Sequence, residues 1–349
     1  MYFASDNWAG AHPAIGEALI REQSGFAAAY GTSTLDRRIE DRFNALFERE
    51  VSVFFVGTGT AANSLSLSAI GRPGGVVFCH REAHIANDEG GAPEYFTTGG
   101  RLATVSGADG KIEPASLEKT IARYPAGFIH HGQPMAVSLT QSTEIGTVYS
   151  LDEIDAVADI ARRHELPLHM DGARFANALV ALGCTPAEMT WKRGVDILSF
   201  GGTKNGCWCA EAIVFMHPEK AREMPYIRKR AAQLFSKTRF ISAQFDGYFE
   251  NDLWLDLARH SNAMADRLRA AITASKTARL AWDTQSNEVF VILPEKSVQD
   301  AWGAGARFHD WPVPVDTPDL VKPGEMLVRL VTSFATTGQE VDDVLSYMK

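Results

Sequence analysis

The sequence predicts an α/β protein, with a large domain on a mostly parallel sheet covered by helices on both faces and a smaller C-terminal α+β domain. Three observations predict it. Short apolar runs alternate with stretches of helical periodicity through the first two-thirds of the chain, as the crossover connections of a parallel sheet require. Those runs read as buried strands, which suits a sheet with helices on both faces. Near residue 250 the alternation gives way to one long helical stretch followed by separate strand-like runs.

The elements follow in order. Val51–Val56 reads as a buried strand ending at Gly57, and a helix follows from Ala61. Gly75–Cys79, Leu102–Val105, Gly127–His130 and Ala136–Leu139 read as further short strands. Ser150-Leu151-Asp152-Glu153 is a capping box, with serine and glutamate each satisfying a free amide. It opens a helix carrying Leu151, Ile154, Val157 and Ile160 on one face. Pro167–Met170 runs as a strand into Asp171, and Thr185-Pro186-Ala187-Glu188 starts another helix with proline at its first position. Val195–Phe200 and Ala210–Phe215 complete the strands of the large domain. Beyond it, Asn251 is the expected cap of a helix over Leu253–Thr273. Val289–Leu293 and Met326–Val331 are strands, and Thr337-Gly338-Gln339-Glu340 boxes a last helix. The expected division is 1–250 and 251–349, with residues 1–15 an arm reaching the active site.

Composition excludes several classes. The chain has 349 residues, 45% apolar and 22% charged, which rules out wholesale disorder and collagen-like sequence. Its formal net charge of −9 repels phosphate backbones, and the one modest basic run, Arg222 to Arg239, does not reverse that. Nucleic acid is therefore not an expected partner. Cys79, Cys184, Cys207 and Cys209 lack the paired spacing of a zinc site, so no metal is expected and they read as small core residues. The N-terminus has neither a basic segment nor an apolar one of the secretory kind, and no apolar run approaches bilayer length. A soluble cytoplasmic protein without membrane contact is the expectation.

Four features sit at the carboxyl ends of expected strands, where open α/β sheets bind ligands. Gly57-Thr58-Gly59-Thr60 follows a strand and opens a helix, so its amides and hydroxyls can close on an anion. It is neither a Walker loop nor a dinucleotide fingerprint; a plain strand-to-helix turn is its rival reading. Glu82 to Gly91 contains His84, whose flat ring can stack on an aromatic cofactor or be structural. His169-Met170-Asp171-Gly172-Ala173-Arg174 delivers an acid suited to a protonated ring nitrogen, unless Asp171 merely caps the next helix. Ser199-Phe200-Gly201-Gly202-Thr203-Lys204-Asn205-Gly206 sets a lysine among glycines, as an imine-forming amine approached closely by a cofactor needs. Anion cradle, histidine, aspartate and lysine in this order are the layout of a pyridoxal phosphate enzyme of the aspartate-aminotransferase fold.

The chain resembles L-threonine aldolases of the low-specificity bacterial kind, within the β-eliminating lyases. The resemblance runs from Ser5-Asp6-Asn7 to Arg329-Leu330-Val331-Thr332, through Tyr30-Gly31, Ala83-His84 with Glu89-Gly90-Gly91, the His169–Ala178 string and the Ser199–Gly206 string. It implies fold type I of the pyridoxal phosphate-dependent transferases and cleavage of L-threonine, L-allo-threonine or related substrates such as phenylserine to glycine plus an aldehyde. Another pyridoxal phosphate lyase or an aminotransferase is the alternative. By position, it implies Lys204 as the cofactor's imine partner, Asp171 as its ring-nitrogen partner and His84 as the stacking ring near the substrate hydroxyl. Gly57, Thr58, Gly59, Thr60, Thr203 and Arg174 would complete the cofactor's surroundings, and Ser5, Tyr30, Arg174 and Arg329 would bind substrate. It also implies a homodimer or homotetramer with shared active sites, in which Arg230, Lys237 or Arg239 completes a neighbour's phosphate site.

One departure from the family pattern matters. Many members carry a second histidine after the strand that precedes the capping-box helix, whereas this chain reads Leu139-Thr140-Gln141-Ser142-Thr143-Glu144-Ile145-Gly146 there. The base for the substrate hydroxyl is left open among His84, Glu144 through a water, and water alone; His130 and His131 read as structural. Trp8, Phe200 and Trp208 read either as pocket wall or as core.

Overall fold

The structure, a computed structural model, describes residues 1–348. Seven apolar runs become the strands β1 (Ser52–Val56), β2 (Gly75–His80), β3 (Arg101–Val105), β4 (Gln133–Thr140), β5 (Leu168–Gly172), β6 (Ile197–Gly201) and β7 (Glu211–Phe215). They form one sheet in the order β1-β7-β6-β5-β4-β2-β3. Only β7 runs against the rest. Every residue of β2, β5, β6 and β7 is buried, as expected of strands covered on both faces. The carboxyl ends of β1, β2, β4, β5 and β6 therefore share one edge of the sheet, and the start of β7 meets them there.

An aromatic cluster anchors that arrangement. Phe43 is fully buried, and its ring lies 5.2 Å from Phe200, 5.3 Å from Phe249 and 5.5 Å from Phe245, edge-to-face in each case. Such pairs add to the stabilisation from area burial, about 0.5–1.5 kcal/mol each. Phe200 is thus core and fixes the end of β6, just before Lys204. Trp208 lines the cavity at that sheet edge and is largely exposed, whereas Trp8 is exposed away from it.

The second sheet is antiparallel: β8 (Arg279–Leu280), β9 (Glu288–Pro294), β10 (His309–Asp310) and β11 (Glu325–Val331), ordered β10-β11-β9-β8. The helices Leu253–Thr273 and Gly338–Leu345 share its apolar core through Ala265, Leu268, Ile272, Val341 and Val344. Phe3 is buried in the same core; its amide donates to the Arg307 carbonyl and its carbonyl accepts from Val331. The N-terminus is therefore tied to the smaller sheet before it reaches Asp6.

The capping boxes at Ser150, Thr185 and Thr337 form with both reciprocal bonds. Asn251 is not a cap. It and Asp252 take left-handed backbone conformations, and the helix Leu253–Thr273 starts without a side-chain cap. Gly127–His130 is not a strand either. It lies in turns between the helix Pro114–Ile121 and β4, with Ile129 88% exposed, so its apolar letters find no partner to cover them. Helices Pro13–Arg21 and Arg239–Phe249 were not expected. The helix Thr34–Leu46, which starts just after Tyr30-Gly31, has a readable signal, the Ser33/Asp36 box. Among the described residues no helix is long and apolar enough to cross a membrane.

Candidate active site

A cavity of about 310 Å³ opens at the carboxyl edge of the large sheet. Its floor begins at the turn after β1. The Gly57 amide donates to Gln233 Oε1 at 3.1 Å, and the Phe235 ring packs against Gly57 closely enough that an added Cβ would lie 3.0 Å from it. Thr58 is the N-cap of the helix Gly59–Ala69, its Oγ1 accepting from the Ala61 amide. The hydroxyl hydrogen stays available. Gly59 and Thr60 line the cavity as the first helical residues, whose amides have no intrahelical acceptor. A Cβ on Gly59 would meet nothing within 4 Å, so this side is open.

A chain of polar side chains crosses the cavity. Asp171, buried near the end of β5, accepts from the Ala173 amide through Oδ1 (3.0 Å) and from Asn63 Nδ2 through Oδ2 (2.8 Å). It does not cap the next helix, Phe175–Leu182, whose N-cap is Arg174. The same Asn63 nitrogen donates to Glu89 Oε1 at 2.8 Å, and that oxygen lies 3.0 Å from His84 Nδ1. The hydrogen bond to Glu89 raises the His84 pKa above that of a free imidazole, against the opposing effect of burial. Behind Asp171 on the same strand, His169 is fully buried between the hydroxyls of Ser138 and Ser199, each 2.9 Å away. Burial holds its pKa down to about 4, so it stays neutral.

Lys204 stands in the turn after β6 and lines the cavity. The glycines around it have a different physical cause from the one expected. An added Cβ on Gly201 would sit 2.6 Å from the Ala173 carbonyl oxygen, and on Gly202 2.7 Å from that of Ala210. Gly206 takes φ +108°, a conformation side chains rarely adopt. Backbone packing under the lysine, rather than approach of a ligand, fixes these positions. Thr203 accepts from the Ala210 amide. Glu211, at the start of β7, faces the same cavity, and burial lifts its pKa to about 7 despite the nearby Thr203 and Lys204.

Arg174 is locked from two sides. Its Nε and Nη2 donate to Asp6 at 2.7 and 3.2 Å, and its Nη1 lies 3.2 Å from Glu288 Oε2. Asn287 also donates to Asp6, at 3.1 Å. Burial opposes ionisation of Asp6, but the charges of Arg174 and Lys204 outweigh it and hold the carboxyl below the usual aspartate range. Burial pushes the Glu288 carboxyl up, and the charges of Arg174 and Arg329 only partly oppose that. Arg329 sits behind Glu288, 3.6 Å from Oε1, with its guanidinium 4.5 Å above the Trp311 ring.

Of the residues expected from sequence, Gly57, Thr58, Gly59, Thr60, His84, Asp171, Arg174, Thr203 and Lys204 line this one cavity. Ser5, Tyr30 and Arg329 do not. Ser5 accepts from the Asn7 amide beside it, and Asn7 does reach the cavity. Tyr30 is exposed at φ +61°, with Lys229 over its ring. Arg230, Lys237 and Arg239 also lie outside the lining. Sequence reasoning missed Asn63, Glu89 as a partner of His84, Glu211, Gln233, and Asp6 with Glu288 as the holders of Arg174. The clearest available signal was the acidic residue five positions after His84 on a short turn.

The residues present fit pyridoxal phosphate. Open helix-start amides at Gly59 and Thr60 suit its phosphate. A buried carboxylate, Asp171, suits a protonated ring nitrogen, and the cavity is of a size that holds a small ligand.

Comparison with known proteins agrees. Residues 2–294 match the beta-eliminating lyase family. The chain is 41% identical to a low-specificity L-threonine aldolase of a Pseudomonas species, over 88% of each chain. It is 41% identical to a low-specificity L-threonine aldolase of Pseudomonas aeruginosa over the same shares. A solved Leishmania major threonine aldolase superposes with a TM-score of 0.91 at 28% identity, covering 99% of this chain and 98% of that one.

Proposed function

We propose that this chain, which belongs to the beta-eliminating lyase family, cleaves L-threonine, L-allo-threonine and related L-β-hydroxy-α-amino acids such as phenylserine to glycine and an aldehyde. It is a carbon–carbon lyase that uses pyridoxal phosphate. The observation that carries this reading is a single cavity lined by Lys204, Asp171, His84 and Arg174 beside an open helix start. It offers an amine, a buried carboxylate, a flat ring and a fixed cation for a substrate carboxylate.

When bound, pyridoxal phosphate supplies the electron sink for the pair released from the Cα–Cβ bond. Lys204 Nζ would hold its aldehyde, Asp171 its ring nitrogen, and His84 the face of its ring. The amides of Gly59 and Thr60, with the hydroxyls of Thr58, Thr60 and Thr203, would hold its phosphate. Asn63 and the Ala173 amide keep Asp171 aimed, so that it retains a proton on whatever nitrogen it meets. Arg174, fixed by Asp6 and Glu288, takes the substrate carboxylate with its remaining N–H groups, and so sets the direction of the Cα–Cβ bond. Arg329, 3.6 Å from Glu288, and Ser5, next to Asp6 in the chain, become further carboxylate ligands once an incoming charge competes with Glu288. Lys204 Nζ returns a proton to Cα.

The enzyme works as a cytoplasmic homodimer or homotetramer with shared sites. The exposed side chains of Ile20, Phe26, Tyr30 and Tyr226 support a subunit contact. Tyr30 and one of Arg230, Lys237 and Arg239 then serve a neighbouring site, which sedimentation of the protein and of Tyr30→Ala would test.

Product analysis tests the reaction. Incubation with L-threonine should release glycine and acetaldehyde in equal amounts, and borohydride should fix the cofactor onto the peptide containing Lys204. Ammonia plus a keto acid would instead identify a different lyase or an aminotransferase.

A further inference from the structure

The groups assigned so far leave the substrate hydroxyl without a proton acceptor. Glu144 follows β4 on the turn after Thr140 and lines the cavity with Asp171 and His84. Its Oε1 is engaged, accepting the His84 backbone N–H at 2.6 Å and the Thr140 hydroxyl at 2.9 Å. Its Oε2 is buried and has no hydrogen-bond partner. Leaving a buried carboxylate oxygen unsatisfied is costly, so such groups are rare and mark places where something else supplies the hydrogen. The ligand of the reaction proposed above carries such a hydrogen on its β-hydroxyl.

We propose that Glu144 Oε2 is the base that takes the β-hydroxyl proton of the substrate as its Cα–Cβ bond breaks. This rests on the aldolase reading of the site. The hydroxyl proton moves to Oε2, and the O–H pair becomes the second C–O bond of the aldehyde. The Cα–Cβ pair stays with the amino-acid half. Lys204 Nζ delivers a separate proton to Cα to complete glycine and recovers one from solvent, to which Glu144 releases its own. No proton is gained or lost overall.

His84 suits this task less well. Its Nδ1 is committed to Glu89, and that hydrogen bond makes the ring hold its proton more tightly. Glu144 is held in the opposite sense: burial, with the neighbouring Asp171 charge, lifts its carboxyl to about 7. A base of that strength is matched to proton transfer near neutrality. The other titratable groups around it are His84, Arg174, Cys79 and Tyr149. Burial pushes the Cys79 thiol to about 12 and the Tyr149 phenol higher still, so both stay neutral, and Asp171 and Arg174 are the fixed charges it feels.

The test compares two reactions of the holoenzyme carrying Glu144→Gln. Cleavage of L-threonine needs the hydroxyl proton removed; exchange of the glycine α-proton for deuterium does not. Cleavage should fall about 10²–10⁴-fold in kcat/KM while exchange stays within about threefold, and Glu144→Asp should recover part of the loss. Independently of activity, carboxyl-¹³C-glutamate NMR of the cofactor-free protein should show the resonances of Glu144 and Glu211 both titrating near 7, and one of the two should be missing in Glu144→Gln. Wild-type cleavage in the variant, equal losses in both reactions, or an unchanged set of glutamate resonances titrating near 7 in Glu144→Gln would each overturn the assignment. If the wild-type enzyme itself releases no aldehyde from any β-hydroxy amino acid, the aldolase reading fails, and this role fails with it.

Discussion

Removing Asp6 tests whether the site's arginine is held by the N-terminal arm. Asp6→Ala deletes the acceptor of two guanidinium N–H groups, at 2.7 and 3.2 Å, and of the Asn287 amide at 3.1 Å. Arg174 keeps only Glu288, 3.2 Å away, and its side chain is 9% exposed, so water cannot fully replace the loss. Breaking a buried pair by removing one partner costs about 3–5 kcal/mol, and the surviving Glu288 contact sets the expectation at the lower end, about 3. Urea unfolding of the cofactor-free protein, at fixed protein concentration, reads this as a lower midpoint at unchanged slope. The pH dependence has a definite sign. The folded carboxyl titrates below its unfolded value of about 3.9, so its stabilisation is fully present above that pH and fades as pH falls through the lowered folded value. The gap between wild type and Asp6→Asn should therefore hold constant from neutrality to about pH 5 and narrow below about pH 4. A variant within about 1 kcal/mol of wild type at pH 7 would mean that Glu288 alone holds Arg174, and the two-sided lock would be wrong.

Further expectations follow from the same geometry. Asp171→Ala should lower kcat for threonine by at least about 10³-fold, as loss of a positioned electrostatic group does, and near-normal turnover would remove it from its role. Glu89→Gln should lower the titration midpoint of His84, followed through its imidazole ring resonances by NMR, because the hydrogen bond that raises it loses its charge. An unmoved midpoint would show that Glu89 does not govern that ring. Gly201→Ala should yield little soluble protein, since the added methyl would meet the Ala173 carbonyl oxygen at 2.6 Å and Ala173 Cα at 2.8 Å, both backbone; full solubility with normal activity would refute this. His169 titrates near 4 when folded and about 6.5 when unfolded, so stability should drop by about 3 kcal/mol as pH falls across that interval, and His169→Gln should flatten the slope.

Much of the large sheet was legible because its strands are short apolar runs, four of them wholly buried. Lys204 and Asp171 were legible for the same reason: Asp171 lies near the end of one such run and Lys204 in the turn just after another, so their positions at the sheet edge follow from local sequence. The three capping boxes were equally local. Gly127–His130 failed because apolar letters state a preference for burial and not the presence of a neighbour to supply it. Asn251 failed because asparagine also tolerates left-handed backbone, and the chain uses that property there.

The parts of the site that sequence did not disclose share a different physical character. Asp6 and Arg174 are 168 residues apart, Asn63 and Asp171 108, and Gly57 and Gln233 176. No periodicity or cap motif encodes such pairs; only the folded sheet brings them together. Their function differs accordingly. On the proposed reading the local motifs supply the groups that would meet the cofactor, whereas the distant pairs fix the angles of those groups: Asn63 aims Asp171, Glu89 aims His84, and Asp6 with Glu288 aims Arg174. A chain could retain every local motif and still lose activity through one of these holders. Substitutions at Asn63, Glu89 and Asp6 therefore separate the presence of a catalytic group from its placement.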